Sequence, residues 1–187
     1  MHSTSHLPQT GALRLLTVGR LSLTKRLGLL VETVGLLCRQ GLDVHLSIVG
    51  GGALEPQLRR SVVEKGLQNA VTLLGRREAA EMPDIYRGHD ALVSASMQEG
   101  MSNAMLEAMA SGLPIVTTRC EGVDELIADN GIVLEEARPE ALAAALHKLA
   151  ADRAVLDAMS RAARKKAQSF GWDRVAEAYL QLYAKVI

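Results

Sequence analysis

Aromatic residues are scarce in this sequence: three tyrosines, one tryptophan and one phenylalanine make up 3% of its 187 residues. Cysteine is scarce too. Cys38 and Cys120 form no CxxC pair and no metal-ligand spacing, which is typical of reduced, buried thiols in a cytosolic protein. The 21 basic and 21 acidic residues cancel, so the chain lacks the charge of a protein that binds nucleic acid or an anionic membrane. A local arrangement of charges must therefore hold any anion that it binds.

Long apolar runs are also absent. No segment is apolar over the roughly 20 residues that a transmembrane helix needs, and residues 1–12 lack the apolar core of a signal peptide. We expect these residues to form a flexible lead-in and the protein to be cytoplasmic. His45, His89 and His147 are widely spaced and unpaired in sequence, so we expect packed or surface histidines and no metal site.

Short apolar segments alternate with helical patterns along the first two thirds of the chain. The short segments are apolar at odd and even positions alike, as in parallel strands covered on both faces. The alternation predicts an α/β fold, a Rossmann-like doubly wound parallel sheet with helices on both faces, followed by a helical C-terminal segment with a break at residues 169–173. The predicted strands are 13–19, 43–50, 70–75, 90–96, 114–118 and 131–134, and the predicted helices between them are 26–40, 53–66, 78–88, 103–111 and 121–128.

The loops that follow the first four strands are the expected ligand sites, because ligands of open α/β sheets bind beyond the carboxyl ends of the strands. The common phosphate motifs are missing. Residues 50–55 lack the third glycine of the dinucleotide motif and follow the second strand instead of the first, and no GxxxxGK[ST] segment occurs. The glycines at 50–52 therefore predict a strand-to-helix turn, with a backbone role near a ligand as the alternative.

The segment "QEGMSNAMLEAMASG" at residues 98–112 carries two carboxylates, Glu99 and Glu107. Ser102 or Asn103 is expected to cap the helix that follows, and the amides at its start favour an anion. Glu99 precedes the helix and Glu107 lies one turn inside it, so both are expected to face one crevice. A ligand with hydroxyls at both ends and an anion in the middle would satisfy this arrangement; the alternative is an amphipathic helix with two solvated carboxylates.

The loop after the first strand carries Arg20, Lys25 and Arg26. Arginine can bind phosphate oxygens through two donors, and lysine can supply a point charge. By itself this loop would be read as a solvated basic turn. Because the carboxylate segment belongs to the same edge of the predicted sheet, we assign Arg20 and Lys25 to an anionic ligand and leave Arg26 to solvent.

Six segments of the chain resemble, in the same order, the carboxyl-terminal, nucleotide-sugar-binding half of retaining glycosyltransferases of the GT-B fold, in the glycogen-synthase-like group 1 family. The resemblance extends over nearly the whole chain from about residue 13, and "EGMSNAMLEAMASGLPIV" is its most specific part. The segments are "VGRLSLTKR", "HLSIVGGGALEPQLRR", "VTLLGRRE", "IYRGHDALVSASMQEGMSNAMLEAMASGLPIVTT", "GVDELIADNGIVL" and "FGWDRVAEAYLQLY".

The resemblance implies a role for each matched residue. Glu99 would contact the transferred sugar, Glu107 would hold the ribose hydroxyls, and Arg20 and Lys25 would bind the diphosphate, so that Glu99, Arg20 and Lys25 form the catalytic set. In many relatives a glycine follows the lysine, whereas this sequence has Arg26. The other implied binding residues are Gly19 beside the basic pair, Gly100, Met101, Ser102 and Asn103 around sugar and phosphate, and Gly75, Arg76 and Arg77 near the base.

The resemblance also implies a function and partners. The donor would be a UDP- or GDP-linked sugar, the acceptor a glycan, lipid or small molecule, and neither a cofactor nor a protein-held metal would be needed. Such enzymes have an amino-terminal lobe with the acceptor site, which we do not find in this sequence. We therefore expect half an active site, inactive alone: an engineered fragment, a separately encoded subunit or a truncated gene.

The expected domains are a donor-binding domain at 13–168 and a helix at 169–187 that would cross to the amino-terminal lobe. Without that lobe, the helix is expected to pair with a separately encoded lobe or to mediate self-association. Peripheral membrane association would also depend on that lobe. Two alternatives are a non-catalytic nucleotide-sugar-binding or interaction subunit and a sugar epimerase of the same fold.

Overall fold

The computed structural model describes residues 11–184, with side chains for all of these except Trp172, Val175 and Ala178. These residues form one sheet of six parallel strands in the order β3-β2-β1-β4-β5-β6. The strand order reverses between β1 and β4, as in a doubly wound Rossmann-like sheet, and the predicted fold class is confirmed. The strands are β1 (Leu13–Val18), β2 (Val44–Val49), β3 (Val71–Gly75), β4 (Ala91–Ser94), β5 (Ile115–Thr118) and β6 (Gly131–Leu134).

Every predicted helix is present, with small differences at the ends. The largest difference is at α3, predicted from residue 78, which begins at Met82. Residues 78–81 instead form a turn in which the Glu78 amide donates to Glu81 Oε2 at 2.8 Å, and Pro83 occupies the first helical turn, where its missing N–H costs nothing. The helices are α1 (Leu27–Arg39), α2 (Glu55–Glu64), α3 (Met82–Arg87), α4 (Asn103–Ala110), α5 (Val123–Leu126), α6 (Pro139–Ala151), α7 (Arg153–Ala167) and α8 (Trp172–Ala184).

Apolar cores lie on both faces of the sheet. Successive residues of a strand point to opposite faces, so Leu15 belongs to the core under α1, α2 and α6, and Leu16 to the core under α3, α4 and α5. This explains why strands such as β1 carry apolar residues at both odd and even positions. Other fully buried members of the first core include Leu13, Val31, Leu46 and Leu142, and those of the second include Met105, Met109 and Ile115.

A buried ion pair fixes β1 beside β4 at the amino-terminal edge of the sheet. Asp90, whose side chain is 1% exposed, accepts from the Arg14 amide at 2.8 Å and from Arg14 Nη2 at 3.0 Å. The Asp90 amide in turn donates to the Arg14 carbonyl at 2.7 Å. These contacts fix the register of β1 against β4, where the strand order reverses. The candidate site lies at the opposite edge of the sheet.

The C-terminal segment is helical with the predicted break, since a 3-10 turn at Gln168–Phe170 and the extended Gly171 separate α7 from α8. On α8, Tyr179, Leu182 and Tyr183 are exposed. Trp172, another aromatic residue of α8, has no described side chain, and the predicted lead-in lies almost wholly outside the described residues. Among residues 11–184, no helix has the length and apolar character needed to cross a membrane.

Candidate functional site

Two adjoining clefts open at the carboxyl ends of the strands, where the strand order reverses. The narrow cleft lies between the loops after β1 and β4 and has a cavity volume of about 10 Å³, whereas the wide cleft, between the loops after β1, β2 and β3, has one of about 590 Å³. Both are lined by Gly19 and Arg20, so the loop after β1 forms their common wall. The narrow cleft is also lined by Lys25, Ser94, Ser96, Glu99, Ser102 and Met105, and the wide cleft by Gly50, Gly51, Arg76, Arg77, Met82 and Glu107.

Glycines after β2 position this common wall. The Gly19 amide donates to the Val49 carbonyl at 3.0 Å, and the Leu21 amide donates to the Gly51 carbonyl at 3.1 Å. A Cβ atom on Gly50, which has a φ of +138°, would lie 1.8 Å from the Gly19 carbonyl oxygen. The glycines form the predicted strand-to-helix turn, and they also let two loops run side by side beneath Arg20, a role that the sequence did not reveal.

An ion pair crosses the narrow cleft. Lys25 Nζ donates to Glu99 Oε1, and the two side chains are only 23% and 14% exposed. The loops that carry them are joined nearby, where the Met97 amide donates to the Thr24 carbonyl at 2.8 Å. The sequence predicts both residues at one site, where each would contact a different part of a ligand. In the structure each is the other's partner.

Cys120 lies close enough to this ion pair to respond to it. Burial raises the pKa of its thiol, and the charge of Glu99 raises it further, while Lys25 acts in the opposite direction. The thiol therefore stays protonated at neutral pH and is a poor nucleophile. Both cysteines are free, as expected from the sequence, but they are half-buried and not fully buried.

The start of α4 is open to a ligand. Ser102 occupies the N-cap position, but neither it nor Asn103 makes the capping hydrogen bond that we expected. Ser102 is instead buried against the narrow cleft. Within the described residues, the amides of Asn103 and Ala104 have no hydrogen-bond partner, so this helix start retains the donors that favour an anion.

Glu107 lies in the wide cleft and is held from below by Tyr86. The Tyr86 hydroxyl, on α3, donates to Glu107 Oε2 at 2.8 Å. Burial raises the pKa of Tyr86, and the hydrogen bond to Glu107 raises it further, so the hydroxyl remains a donor. Tyr86 did not stand out in the sequence; the available signal was a buried tyrosine, whose hydroxyl needs a partner.

The wide cleft is basic. Arg20 and Arg76 make no ion pair or side-chain hydrogen bond with residues 11–184, and Arg77 Nη1 donates to Glu81 Oε1 at 3.2 Å. Two guanidinium groups are thus available beside the Glu107 carboxylate. No group of three or more His, Cys, Asp and Glu side chains that could hold a metal occurs in the described part of the chain.

The residues predicted for the site lie at the carboxyl-terminal edge of the sheet, and not all of them line a cleft. Glu99 lines the narrow cleft and Glu107 the wide cleft, and Gly19 and Arg20 line both. Gly75 ends β3 and accepts a hydrogen bond from the Gly50 amide at 2.8 Å, but it lines neither cleft. Gly100, Met101 and Asn103 are exposed at the same edge of the sheet without lining either cleft.

A family model described as glycosyl transferases group 1 matches residues 12–152. This match takes in all six strands and both clefts. The chain belongs to this family, which confirms the resemblance drawn from the motifs.

Curated relatives are longer than this chain. An amylovoran biosynthesis glycosyltransferase, AmsK of Erwinia amylovora, is 34% identical over 165 residues, covering 84% of this chain and 40% of that protein. A D-inositol 3-phosphate glycosyltransferase of Paenarthrobacter aurescens is 31% identical over 179 residues, covering 92% of this chain and 44% of that protein. The chain thus spans less than half the length of either relative.

Solved structures show the same fold. The pneumococcal O-GlcNAc transferase GtfA, in complex with UDP and GlcNAc, matches with a TM-score of 0.83 at 23% identity over 94% of this chain and 36% of that one. The C-terminal domain of a group 1 family protein, LpcC of Francisella tularensis, matches with a TM-score of 0.72 at 21% identity over 85% of this chain and 86% of that domain. The sheet and helices are therefore one Rossmann-like domain of a GT-B glycosyltransferase fold.

Proposed function

We propose that this domain binds the donor of a retaining glycosyltransferase, a nucleoside diphosphate sugar whose hexose is transferred to an acceptor. The observation that carries the proposal is the pair of adjoining clefts, each with one carboxylate, on either side of Arg20. Such a donor has hydroxyl groups at both ends and a diphosphate between them. Its chemistry therefore matches the order of groups across the two clefts.

Arg20 and the start of α4 would hold the diphosphate. Arg20 borders both clefts, and its guanidinium has no partner within the described residues. The amides of Asn103 and Ala104 add donors at the positive end of a helix. A diphosphate across this wall would place the nucleoside in the wide cleft and the sugar in the narrow cleft.

In the wide cleft, Glu107 would accept hydrogen bonds from the ribose hydroxyls, and Arg76, Arg77 and the neighbouring Gly75 would adjoin the base. In the narrow cleft, Glu99 would accept from the sugar hydroxyls while Ser102 contacts the same end of the donor. Gly100 and Met101 would contribute only if the loop before α4 closes over the ligand, whereas Asn103 would already supply its amide to the diphosphate. Gly19 keeps the backbone near the diphosphate.

Catalysis would rest on stabilising the leaving group. As the bond from the sugar to the diphosphate breaks, negative charge grows on the diphosphate, and positioned cations and amides lower the energy of that state. Arg20 is ready for this role. Lys25 must first leave Glu99, so donor binding would replace one ion pair by contacts from Lys25 to phosphate and from Glu99 to sugar.

The neighbouring structures support a uridine nucleotide as the donor. HepE of Anabaena has been solved with UDP-glucose, and it matches this chain with a TM-score of 0.80 at 21% identity. GtfA has been solved with UDP and GlcNAc. Because this degree of identity carries the fold alone, GDP is kept as the other nucleotide to test.

The acceptor site is proposed to lie on a second lobe, either in the same polypeptide or in a separate subunit. The greater length of the relatives supports the first arrangement, and the GtfA/B complex, which matches at 27% identity with a TM-score of 0.83, supports the second. The exposed Tyr179, Leu182 and Tyr183 of α8 would contact that lobe. Self-association through α8 is the alternative.

Calorimetry with UDP, GDP, uridine and guanosine tests donor binding. We expect one diphosphate to bind at least about tenfold more tightly than its nucleoside, because charge-assisted hydrogen bonds to the diphosphate add about 1.5–3 kcal/mol. Equal affinity for diphosphate and nucleoside would contradict the proposal. Diphosphate binding without sugar transfer by the full-length protein would support a non-catalytic binding subunit instead.

A further inference from the structure

Tyr86 is the buried side chain that contacts a predicted ligand-binding group directly. Its residue is 1% exposed, in the core under α3 and α4, together with Leu16, Leu92 and Met105. The hydroxyl at the end of this fixed ring donates to Glu107 Oε2 at 2.8 Å. A rigid buried ring thus supports a carboxylate that is otherwise exposed to solvent.

Glu107 keeps acceptor positions for a ligand after this hydrogen bond, because a carboxylate oxygen can accept more than one. Oε1 makes no hydrogen bond within residues 11–184, and Glu107 lines the wide cleft. A glutamate on an exposed helix face samples several rotamers and loses that freedom when it binds a ligand. A hydrogen-bond donor that is fixed in the core selects one rotamer of the glutamate before the ligand arrives, which lowers the entropic cost of binding.

We propose that Tyr86 is a positioning residue that holds the Glu107 carboxylate in its ligand-binding rotamer and thereby sets the affinity for the ribose hydroxyls of the nucleotide. The proposal rests on the proposed function, because it needs a nucleotide in the wide cleft. It assigns a part in recognition to a buried residue of α3 that would act on the ligand through Glu107 and not by direct contact. The Tyr86 hydroxyl keeps its hydrogen bond to Oε2 when the ligand binds, and Oε1 accepts hydrogen bonds from the ribose hydroxyls.

The test compares Tyr86→Phe with wild type by calorimetry, using whichever of UDP and GDP the wild type binds more tightly and the analogue of that nucleotide without 2′ and 3′ hydroxyls. The substitution keeps the ring and removes the hydroxyl. We expect about three- to tenfold weaker binding of the ribonucleotide, and unchanged binding of the dideoxy analogue. Ser169→Ala, which removes an exposed hydroxyl that lines neither cleft, is the control and should change neither affinity.

A double-mutant cycle separates positioning from a general loosening of the core. In the Glu107→Ala background, Tyr86→Phe should weaken ribonucleotide binding no further, because the carboxylate that it positions is gone. Equal weakening of the ribonucleotide and the dideoxy analogue would overturn the proposal, as would unchanged ribonucleotide binding by Tyr86→Phe or an undiminished effect in the Glu107→Ala background. If wild type binds no nucleoside diphosphate, the proposed function fails first, and the role of Tyr86 fails with it.

Discussion

The two clefts differ in how their charges are satisfied. In the narrow cleft, Lys25 and Glu99 neutralise each other across the gap and are largely shielded from solvent. In the wide cleft, Arg20 and Arg76 have no ion-pair partner among residues 11–184, and Glu107 is fixed by an uncharged donor, Tyr86. The wide cleft is therefore ready for a charged ligand, whereas the narrow cleft is occupied by its own ion pair.

This difference predicts an order of binding events. A nucleoside diphosphate can enter the wide cleft without breaking an ion pair. The sugar can reach Glu99 only as Lys25 moves away, and a largely buried charge that loses its partner is costly unless another takes its place. The diphosphate provides that other partner for Lys25. We expect the nucleotide part to supply most of the affinity and the sugar part to add little.

The largest effect on stability and binding is expected from Gly50→Ala, because Gly50 packs against the loop that forms the common wall of both clefts. The new Cβ would lie 1.8 Å from the Gly19 carbonyl oxygen, at a φ of +138°. We expect a loss of about 3 kcal/mol or more in the free energy of unfolding, together with loss of nucleotide binding. Chemical denaturation and calorimetry measure the two effects.

Gly28→Ala is the matched control for that substitution. Gly28 is an exposed residue of α1, and no neighbouring group lies within 4 Å of the place that a Cβ would take. Alanine there should stabilise the helix by up to about 1 kcal/mol. If Gly50→Ala were as well tolerated as Gly28→Ala, the close approach of the two loops would not exist in solution.

Arg20→Ala tests whether the wall itself binds the diphosphate. Because Arg20 borders both clefts, its loss should weaken the nucleoside diphosphate and the nucleotide sugar alike, by about 1.5–3 kcal/mol. Calorimetry checks both ligands beside Arg60→Ala, an exposed arginine on α2. Affinities equal to those of the control would mean that Arg20 belongs to a solvated basic turn and does not bind the diphosphate.

A smaller effect is expected at Arg26, which follows the 3-10 turn carrying Lys25. Arg26 has a φ of +46° and a ψ of +39°, a left-handed conformation that costs a residue with a side chain roughly 1–2 kcal/mol. Arg26→Gly should therefore raise the free energy of unfolding by about 1 kcal/mol while leaving nucleotide binding unchanged.

Arg60→Gly provides the comparison for that measurement, because Arg60 lies inside α2 and glycine there should lower stability by about 1 kcal/mol. Chemical denaturation of both variants gives the sign of the change in the free energy of unfolding. A destabilised Arg26→Gly would mean that the loop beside the narrow cleft carries no backbone strain, and that arginine contributes contacts that the strain argument omits.

Much of the fold could be predicted because buried parallel strands leave a direct pattern. Segments such as "GIVL" are apolar at odd and even positions alike, and Leu15 and Leu16 face opposite cores. The missing glycine after the lysine also had a structural meaning, since Arg26 adopts the left-handed conformation that glycine favours. The start of α3 was misplaced because the Glu78–Glu81 turn depends on side-chain hydrogen bonds.

The site was predictable only in part. The sequence identified the carboxyl-terminal loops and their charged residues, because strand order and helix starts determine where these lie. It could not reveal that Lys25 and Glu99 pair, or that Tyr86 supports Glu107, since these contacts join residues 74 and 21 positions apart. It also could not reveal that Gly50 seats the loop with Arg20, which depends on a distance between two separate loops.

The most direct test measures a bare nucleoside diphosphate and the matching nucleotide sugar on Glu99→Gln, Glu107→Ala and the control Glu64→Gln, an exposed glutamate at the end of α2. The two-cleft account predicts that Glu107→Ala weakens both ligands by about 1.5–3 kcal/mol. Glu99→Gln should weaken the contribution of the sugar alone, and it should bind the bare nucleotide at least as well as wild type because Lys25 is released. If both substitutions weaken the bare nucleotide equally, or if both match the control, the division of the donor between the two clefts is contradicted.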